Sequence, residues 1–196
     1  MSIETLKVVG LSGALSTLSR TTTLVQSYLD SFASHGVSQL SLLSIAELAP
    51  YLAQTTDPTA LPPALQQAVA QLSAADIIVV ASPVYKGSYT GLFKHFIDLL
   101  DPQLLKGKTV LLAATGGTEL HALVLEHQLR PLFSFFGALT VPATVFLKDS
   151  SLVKVADGSS YQYQLAAPLE RIALSVSQAL HLHAGPPPLQ HAVNAA

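Results

Sequence analysis

Apolar residues alternate between two patterns along this chain. Runs that are apolar almost without a break, at residues 6–11 (LKVVGL), 77–81 (IIVVA), 109–114 (TVLLAA) and 144–147 (TVFL), are separated by longer stretches in which apolar residues return every three or four positions. The first kind reads as strands covered on both faces and the second as amphipathic helices. Residues 39–43 form a weaker second strand. Helices are expected over residues 22–34, with Leu24, Val25, Tyr28, Leu29 and Phe32 on one face, and over residues 64–72, 91–100, 120–136 and 165–180. Five strands separated by helices define an α/β chain, a three-layer doubly wound five-stranded parallel sheet with right-handed crossovers. Residues 1–180 make one domain and residues 181–196, ending in GPPPLQHAVNAA, a tail. The proline-rich stretch 50–63 is expected as a surface loop.

Composition narrows the partner. The chain has 196 residues, 49% hydrophobic and 11% charged, enough to bury a large single core. Its formal charge of −2 includes no basic run, so the footprint of a nucleic-acid binder is missing and a small molecule is the expected ligand. There is no cysteine, which removes disulfides, thiol catalysis and cysteine metal sites. His181 and His183 have no acidic cluster beside them, so no metal site is read there. No apolar run approaches the ~20 residues of a membrane span, and the N-terminus lacks a signal-peptide pattern; the expected location is the cytoplasm.

In a doubly wound sheet, ligands bind beyond the carboxyl ends of the strands. Three such ends carry unusual chemistry. After the first strand comes SGALSTLSRTTTL, with hydroxyls at Ser12, Ser16, Thr17, Ser19, Thr21, Thr22 and Thr23 and a cation at Arg20, leading straight into a helix. Free N–H groups at a helix start favour phosphate, and hydroxyls add donors, although Ser and Thr are also ordinary helix caps. The loop matches neither the nucleoside-triphosphate nor the dinucleotide glycine pattern. After the third strand, Pro83-Val84-Tyr85 and Gly87 mark a tight turn whose main chain and aromatic ring suit the edge of a flat ligand, or simply a strand-to-helix connection. After the fourth, Thr115-Gly116-Gly117 permits close approach of a ligand to the backbone, or merely a turn.

The segments SPVYKGSYTGLFKHFIDLL and LKGKTVLLAATGG, followed by His121, Leu123, Leu129, Arg130 and Pro131 at fixed spacing, resemble the flavodoxin-like NAD(P)H-dependent FMN reductases. The nearest likeness is to the reductase components of two-component alkanesulfonate and methanesulfonate monooxygenase systems, and it covers the first strand to about residue 150. The resemblance implies that Ser19 and Thr21, with Arg20 between them and Ser12 and Ser16 nearby, hold the flavin phosphate. It implies that Pro83, Val84 and Tyr85 lie beside the isoalloxazine, and that Thr115, Gly116 and Gly117 lie at its other edge. Ala14 departs from the family, where many members carry serine. The resemblance further implies FMN and NADPH or NADH as cofactors, a flavin-dependent monooxygenase as partner, a homotetramer, and a one-residue π-type bulge near His127. No general acid, base or nucleophile is expected, because the flavin carries the reactivity. An NAD(P)H quinone or azo reductase with tightly bound FMN is the alternative; an electron carrier would be far more acidic. A homotetramer would also account for two apolar helices, bearing Leu92, Phe93, Phe96 and Ile97, and Leu129, Leu132, Phe133 and Phe136.

Overall fold

The computed structural model describes residues 3–164 and 166–184. In chain order the elements are β1 (Lys7–Ser12), α1 (Arg20–Ser34), β2 (Gln39–Ser44), α2 (Ile45–Leu52), α3 (Pro63–Ala74), β3 (Ile77–Pro83), α4 (Gly91–Asp98) and β4 (Thr109–Gly116). A π-helical turn (Leu125–Leu129), α5 (Arg130–Phe135), β5 (Leu139–Thr140), β6 (Val145–Lys148), β7 (Leu152–Lys154), β8 (Tyr161–Tyr163) and α6 (Ala167–Ala184) follow.

The main sheet is parallel and runs β2-β1-β3-β4, with β5 and β6 both pairing against the far side of β4. They fill one edge position in two pieces. Pro142 lies between them, and a proline, lacking an N–H, cannot continue the ladder. The five positions therefore take the order 2-1-3-4-5: the alternation of apolar runs predicts the five parallel strands, and the family resemblance implies their flavodoxin-like arrangement.

Strand residues alternate between two cores. Val8, Ile77, Val79, Leu111 and Ala113 pack with Leu24, Val25, Tyr28 and Phe32 of α1 and with Ile172 and Val176 of α6. Val9, Leu11, Ile78, Val80 and Leu112 pack on the other face with side chains of α2, α3, α4 and α5. Every residue of β3 and β4 is buried, which is why both read so clearly as unbroken apolar runs.

Three expectations are corrected. Residues 50–63 are not all loop, because Pro50 lies inside α2. Its missing N–H removes one hydrogen bond from a short helix, but Ile45, Leu48 and Leu52 at helical spacing are buried and outweigh that loss. The long helix expected over 120–136 is broken into a 3₁₀ turn (Glu119–His121), the π turn and α5. Pro131 accounts for the widening: its ring would strike the carbonyl of His127 in regular α geometry, and the N–H of Arg130 instead reaches back to the carbonyl of Leu125. Finally, β7 and β8 form an antiparallel hairpin that the strand reading omits, although Asp157-Gly158 is a hairpin turn signal. The last helix runs on to Ala184; the rest of the expected tail lies outside the described residues.

One close approach sets how near α1 lies to β1. A Cβ on Gly10 of β1 would stand 2.4 Å from Cγ1 of Val25 and 3.4 Å from Cδ1 of Leu29, both buried side chains of α1. Only glycine lets the helix lie this near the strand, and Val25, branched at Cβ, cannot swing clear. Gly10→Ala is expected to destabilise the protein by about 1–3 kcal/mol through overpacking. Urea unfolding would register a lower midpoint with an unchanged slope.

Candidate functional site

The strand order reverses at β1 and β3, whose following helices cover opposite faces of the sheet. A cleft of about 140 Å³ opens beyond the carboxyl ends of these strands, lined by residues of the three loops singled out by sequence.

The first loop runs from β1 to α1. Ser19 is the N-cap of α1, in extended conformation (φ −149°, ψ 142°), and its Oγ accepts from the N–H groups of Thr21 (3.1 Å) and Thr22 (3.3 Å). The cap uses the oxygen's lone pairs and leaves its O–H proton to donate elsewhere. The main-chain N–H groups of residues 15–20 have no partner among the described residues. Four of these residues, Ser16, Leu18, Ser19 and Arg20, line the cleft at the start of α1, where unpaired N–H groups and the positive end of a 15-residue helix suit an anion. Arg20, the first helical residue, donates from Nε to the carbonyl of Leu152 at 2.9 Å and places its guanidinium 4.8 Å from the ring centroid of Tyr161. Its side chain is held by the β7–β8 hairpin while its terminal nitrogens stay available, a geometry worth about 0.5–2 kcal/mol in orienting the cation.

Not every hydroxyl of this loop faces the cleft. Ser12 is buried, and its Oγ shares a hydrogen bond with Oγ1 of Thr22 at 2.9 Å and accepts from the N–H of Ala14 at 3.4 Å. Its work is to tie the end of β1 to α1. Ser16, Ser19, Arg20 and Thr21 line the cleft, as do Pro83, Tyr85 and Thr115 from the other two loops. Thr21 and Thr115 meet there, with their hydroxyl oxygens 2.7 Å apart and both residues buried.

Val84 donates its N–H to the carbonyl of Thr115 at 2.8 Å, joining the second loop to the third. Beyond it, Tyr85 and Ser88 exchange main-chain hydrogen bonds of 2.8 and 3.1 Å around Lys86 (φ 53°) and Gly87 (φ 81°). Two consecutive left-handed residues make a two-residue hairpin turn, and this turn accounts for lysine and glycine where a buried strand stops. Tyr85 stands 53% exposed at the mouth of the cleft. Thr90, at the start of α4, braces the base of the turn, its hydroxyl donating to the carbonyl of Gly13 at 2.8 Å and its N–H to Oγ of Ser82 at 3.3 Å.

Gly116 and Gly117 close the third loop. A Cβ on Gly116 would press on the Phe146 ring at 3.1 Å, so internal packing explains that glycine. On Gly117 the nearest atom would be Oδ2 of Asp149, at 3.9 Å, so internal packing leaves room there. The residues present therefore fit a flat, phosphorylated ligand, with an anion end at α1 and an edge along the second and third loops.

Ala14, noted in the sequence only as a departure from the family's serine, also lines the cleft, as do Leu18, Asp149 and Tyr161, which escaped the sequence reading. Asp149 and Tyr161 arrive from beyond the fifth strand position, and Asp157-Gly158 is a turn signal for the hairpin carrying Tyr161 that the strand reading passed over. The π turn expected at His127 is present, with His127 exposed on it. Beside it, Arg130 donates to both carboxylate oxygens of Glu126, at 2.5 and 2.8 Å, and to Oγ1 of Thr140 at 2.8 Å. The Arg130 hydrogen bonds hold the Glu126 carboxyl below its ordinary range, so the pair persists at neutral pH and is lost only as pH falls through that lowered value.

Thr21→Val is expected to cost about 1–3 kcal/mol by leaving the buried Thr115 hydroxyl unpaired, whereas Thr21→Val with Thr115→Val should approach neutrality. A double-mutant cycle by urea unfolding checks this; additive losses would remove the pair as the link between the loops.

The sequence pattern that defines the NADPH-dependent FMN reductases matches residues 6–151. The chain is 45% identical over 177 residues to the NADH-dependent FMN reductase SfnE of Pseudomonas putida, spanning 90% of this chain and 92% of that one. It is 42% identical over 180 residues to an FMN reductase (NADPH) of Pseudomonas aeruginosa, spanning 91% and 93%. Among solved structures, an oxidoreductase from Corynebacterium diphtheriae superimposes with a TM-score of 0.76 at 34% identity, covering 93% of this chain and 99% of that one. Fold, cleft and sequence agree: this chain is an oxidoreductase and belongs to the NADPH-dependent FMN reductase family.

Proposed function

We propose that the chain uses NADH or NADPH to reduce FMN and hands the reduced flavin to a flavin-dependent monooxygenase in sulfonate sulfur assimilation, acting as a cytoplasmic homotetramer. The observation that carries the flavin site is the cleft itself, with free N–H donors and Arg20 at one end and Pro83, Tyr85 and Thr115 along the other. In this reading Ser16, Ser19, Arg20 and Thr21 belong to the phosphate end, with Ser12 bracing it from behind. Pro83, Val84, Tyr85, Thr115, Gly116 and Gly117 belong to the ring end.

FMN, when bound, supplies the acceptor for a nicotinamide hydride. The chain's own contribution is placement and polarisation. Main-chain donors and Arg20 fix the phosphate, the Thr21–Thr115 hydroxyl bond holds the two ends at one separation, and the Tyr85 turn walls the ring. Reaction by placement needs no acid, base or nucleophile from the protein. The sulfonate partner is supported by the motif-level resemblance in residues 82–131, and cytoplasmic residence by the chain's composition. Among the described residues no helix is long and apolar enough to cross a membrane.

The oligomer rests on different residues from those the sequence suggested. Phe93, Phe96, Ile97, Leu129, Phe133 and Phe136 are covered by the chain's own core, and Leu92 and Leu132 are partly buried against it. Left outside are Leu120 (88% exposed), Leu123 (62%) and Phe135 (71%) around the segment from 119 to 135. Beside Phe135 a groove between α4 and α5, lined by Leu100, Pro102 and Leu132 and edged by the Lys94–Asp98 ion pair, is suited to a second subunit.

Purified protein titrated with FMN and then supplied with NADH and NADPH is expected to oxidise nicotinamide in proportion to added FMN. Flavin retained through desalting, together with faster turnover of quinones or azo dyes than of FMN, would favour the tightly bound alternative. Arg20→Met keeps the side-chain stem but removes the charge, and is expected to weaken FMN about 10–100-fold while leaving riboflavin, which has no phosphate, near its parental affinity. Equal loss for both ligands would move the phosphate away from α1. Light scattering at micromolar concentration should give four subunits, and Leu120→Glu with Phe135→Glu should give smaller species; a parental monomer refutes the assembly.

A further inference from the structure

The turn that walls the ring end of the cleft is not held by the core. Tyr85, Lys86 and Gly87 are all exposed, and Lys86 takes a left-handed conformation that residues with a Cβ rarely adopt. What holds the turn comes from forty residues further along the chain. Gln128, in the π turn, donates from Nε2 to the carbonyl of Gly87 at 3.2 Å and accepts at Oε1 from the hydroxyl of Ser88. One primary amide thus grips two successive residues at the exit of the turn, using a donor and an acceptor at once.

The π geometry accounts for Gln128 being in reach. Leu125 and Leu129, at the two ends of the widened turn, are both buried in the core beside β4, while Glu126 points outward to its partner Arg130. Arg130 fastens the same segment to Thr140 and to the carbonyl of Val141. With its ends and its outer side fixed, the π turn presents Gln128 toward Ser88. The base of the Tyr85 turn has separate anchors in Thr115 and Thr90, so Gln128 governs only residues 85–88.

We propose that Gln128 is a positioning residue for the flavin ring: its amide, delivered by the π turn, fixes the Tyr85–Ser88 turn and through it the ring-end wall of the cleft. The inference rests on the FMN reading above and adds to it the physical use of the π turn within one subunit. Gln128 touches no part of the phosphate end, which lies at Ser19 and Arg20. Loss of its grip therefore weakens FMN and riboflavin alike, the reverse of the selective loss expected at Arg20.

The test uses the full chain with FMN and with riboflavin, following quenching of flavin fluorescence. Gln128→Leu keeps approximate size and removes both hydrogen bonds; dissociation constants for both flavins are expected to rise about tenfold or more, as two neutral hydrogen bonds allow. The urea midpoint should stay near the parental value, since no core residue is changed. Ser88→Ala should give a smaller rise, and the double variant no more than Gln128→Leu alone, because both substitutions release the same turn. Gln128→Glu, which keeps the acceptor for Ser88 and loses the donor for Gly87, should fall between. In turnover, KM for FMN should rise with the dissociation constant while kcat changes less. Parental affinity of Gln128→Leu and Ser88→Ala for both flavins overturns the proposal, as does a loss confined to FMN. Parental protein that binds neither flavin would overturn the FMN reading itself, and the role of Gln128 with it.

Discussion

The arrangement depends on one topological constraint: the sheet grows in one direction from β1 to β2 and in the other from β3 to β4. The helices that follow β1 and β3 must leave for opposite faces, and a crevice opens where they part. Nothing covalent closes that crevice. It is spanned instead by short polar bonds, Thr21 to Thr115, Val84 to Thr115 and Thr90 to Gly13, each joining segments that lie far apart in sequence. Gly10 sets the depth at which α1 enters this frame, because its missing Cβ lets the helix settle against β1. The cleft is thus defined by packing below and by hydrogen bonds across, and its chemistry is largely main-chain chemistry.

That balance explains what the sequence revealed and what it hid. The sheet was legible because strands buried on both faces have little freedom in composition, and β3 and β4 read almost as they fold. Breaks caused by single residues were harder to place. Pro50 suggested a loop where burial of Ile45, Leu48 and Leu52 sustains a helix, and the apolar period across residues 120–136 did not by itself mark the turn widened ahead of Pro131, which only the family resemblance implied. Tyr161 and Asp149 were invisible as cleft residues because no local pattern says where a hairpin folds back.

Hydroxyl density proved an ambiguous signal. It marked a loop that lines the cleft, yet Ser12 is spent on Thr22, Thr21 on Thr115, and the lone pairs of Ser19 on the first turn of α1. The donors left over are mostly backbone N–H groups, which every residue carries and no motif announces. Residue types marked the place, and the bonds they make with one another determine what remains for a ligand.

The hairpin of β7 and β8 lies past the end of the segment matched by the family, at residue 151. It is fastened to α1 by Arg20, through Leu152 and Tyr161, and by the Tyr163 hydroxyl donating to Ser27 at 2.9 Å. Arg20 therefore serves two neighbours, the hairpin on one side and the cleft on the other. An anion that engages its guanidinium while it is so held binds a residue whose freedom the hairpin has already removed. By linkage the dependence runs both ways: docking of the hairpin strengthens the anion's hold by the same factor by which the anion favours docking. A segment beyond the matched family region thereby gains thermodynamic leverage over the cleft through one shared side chain.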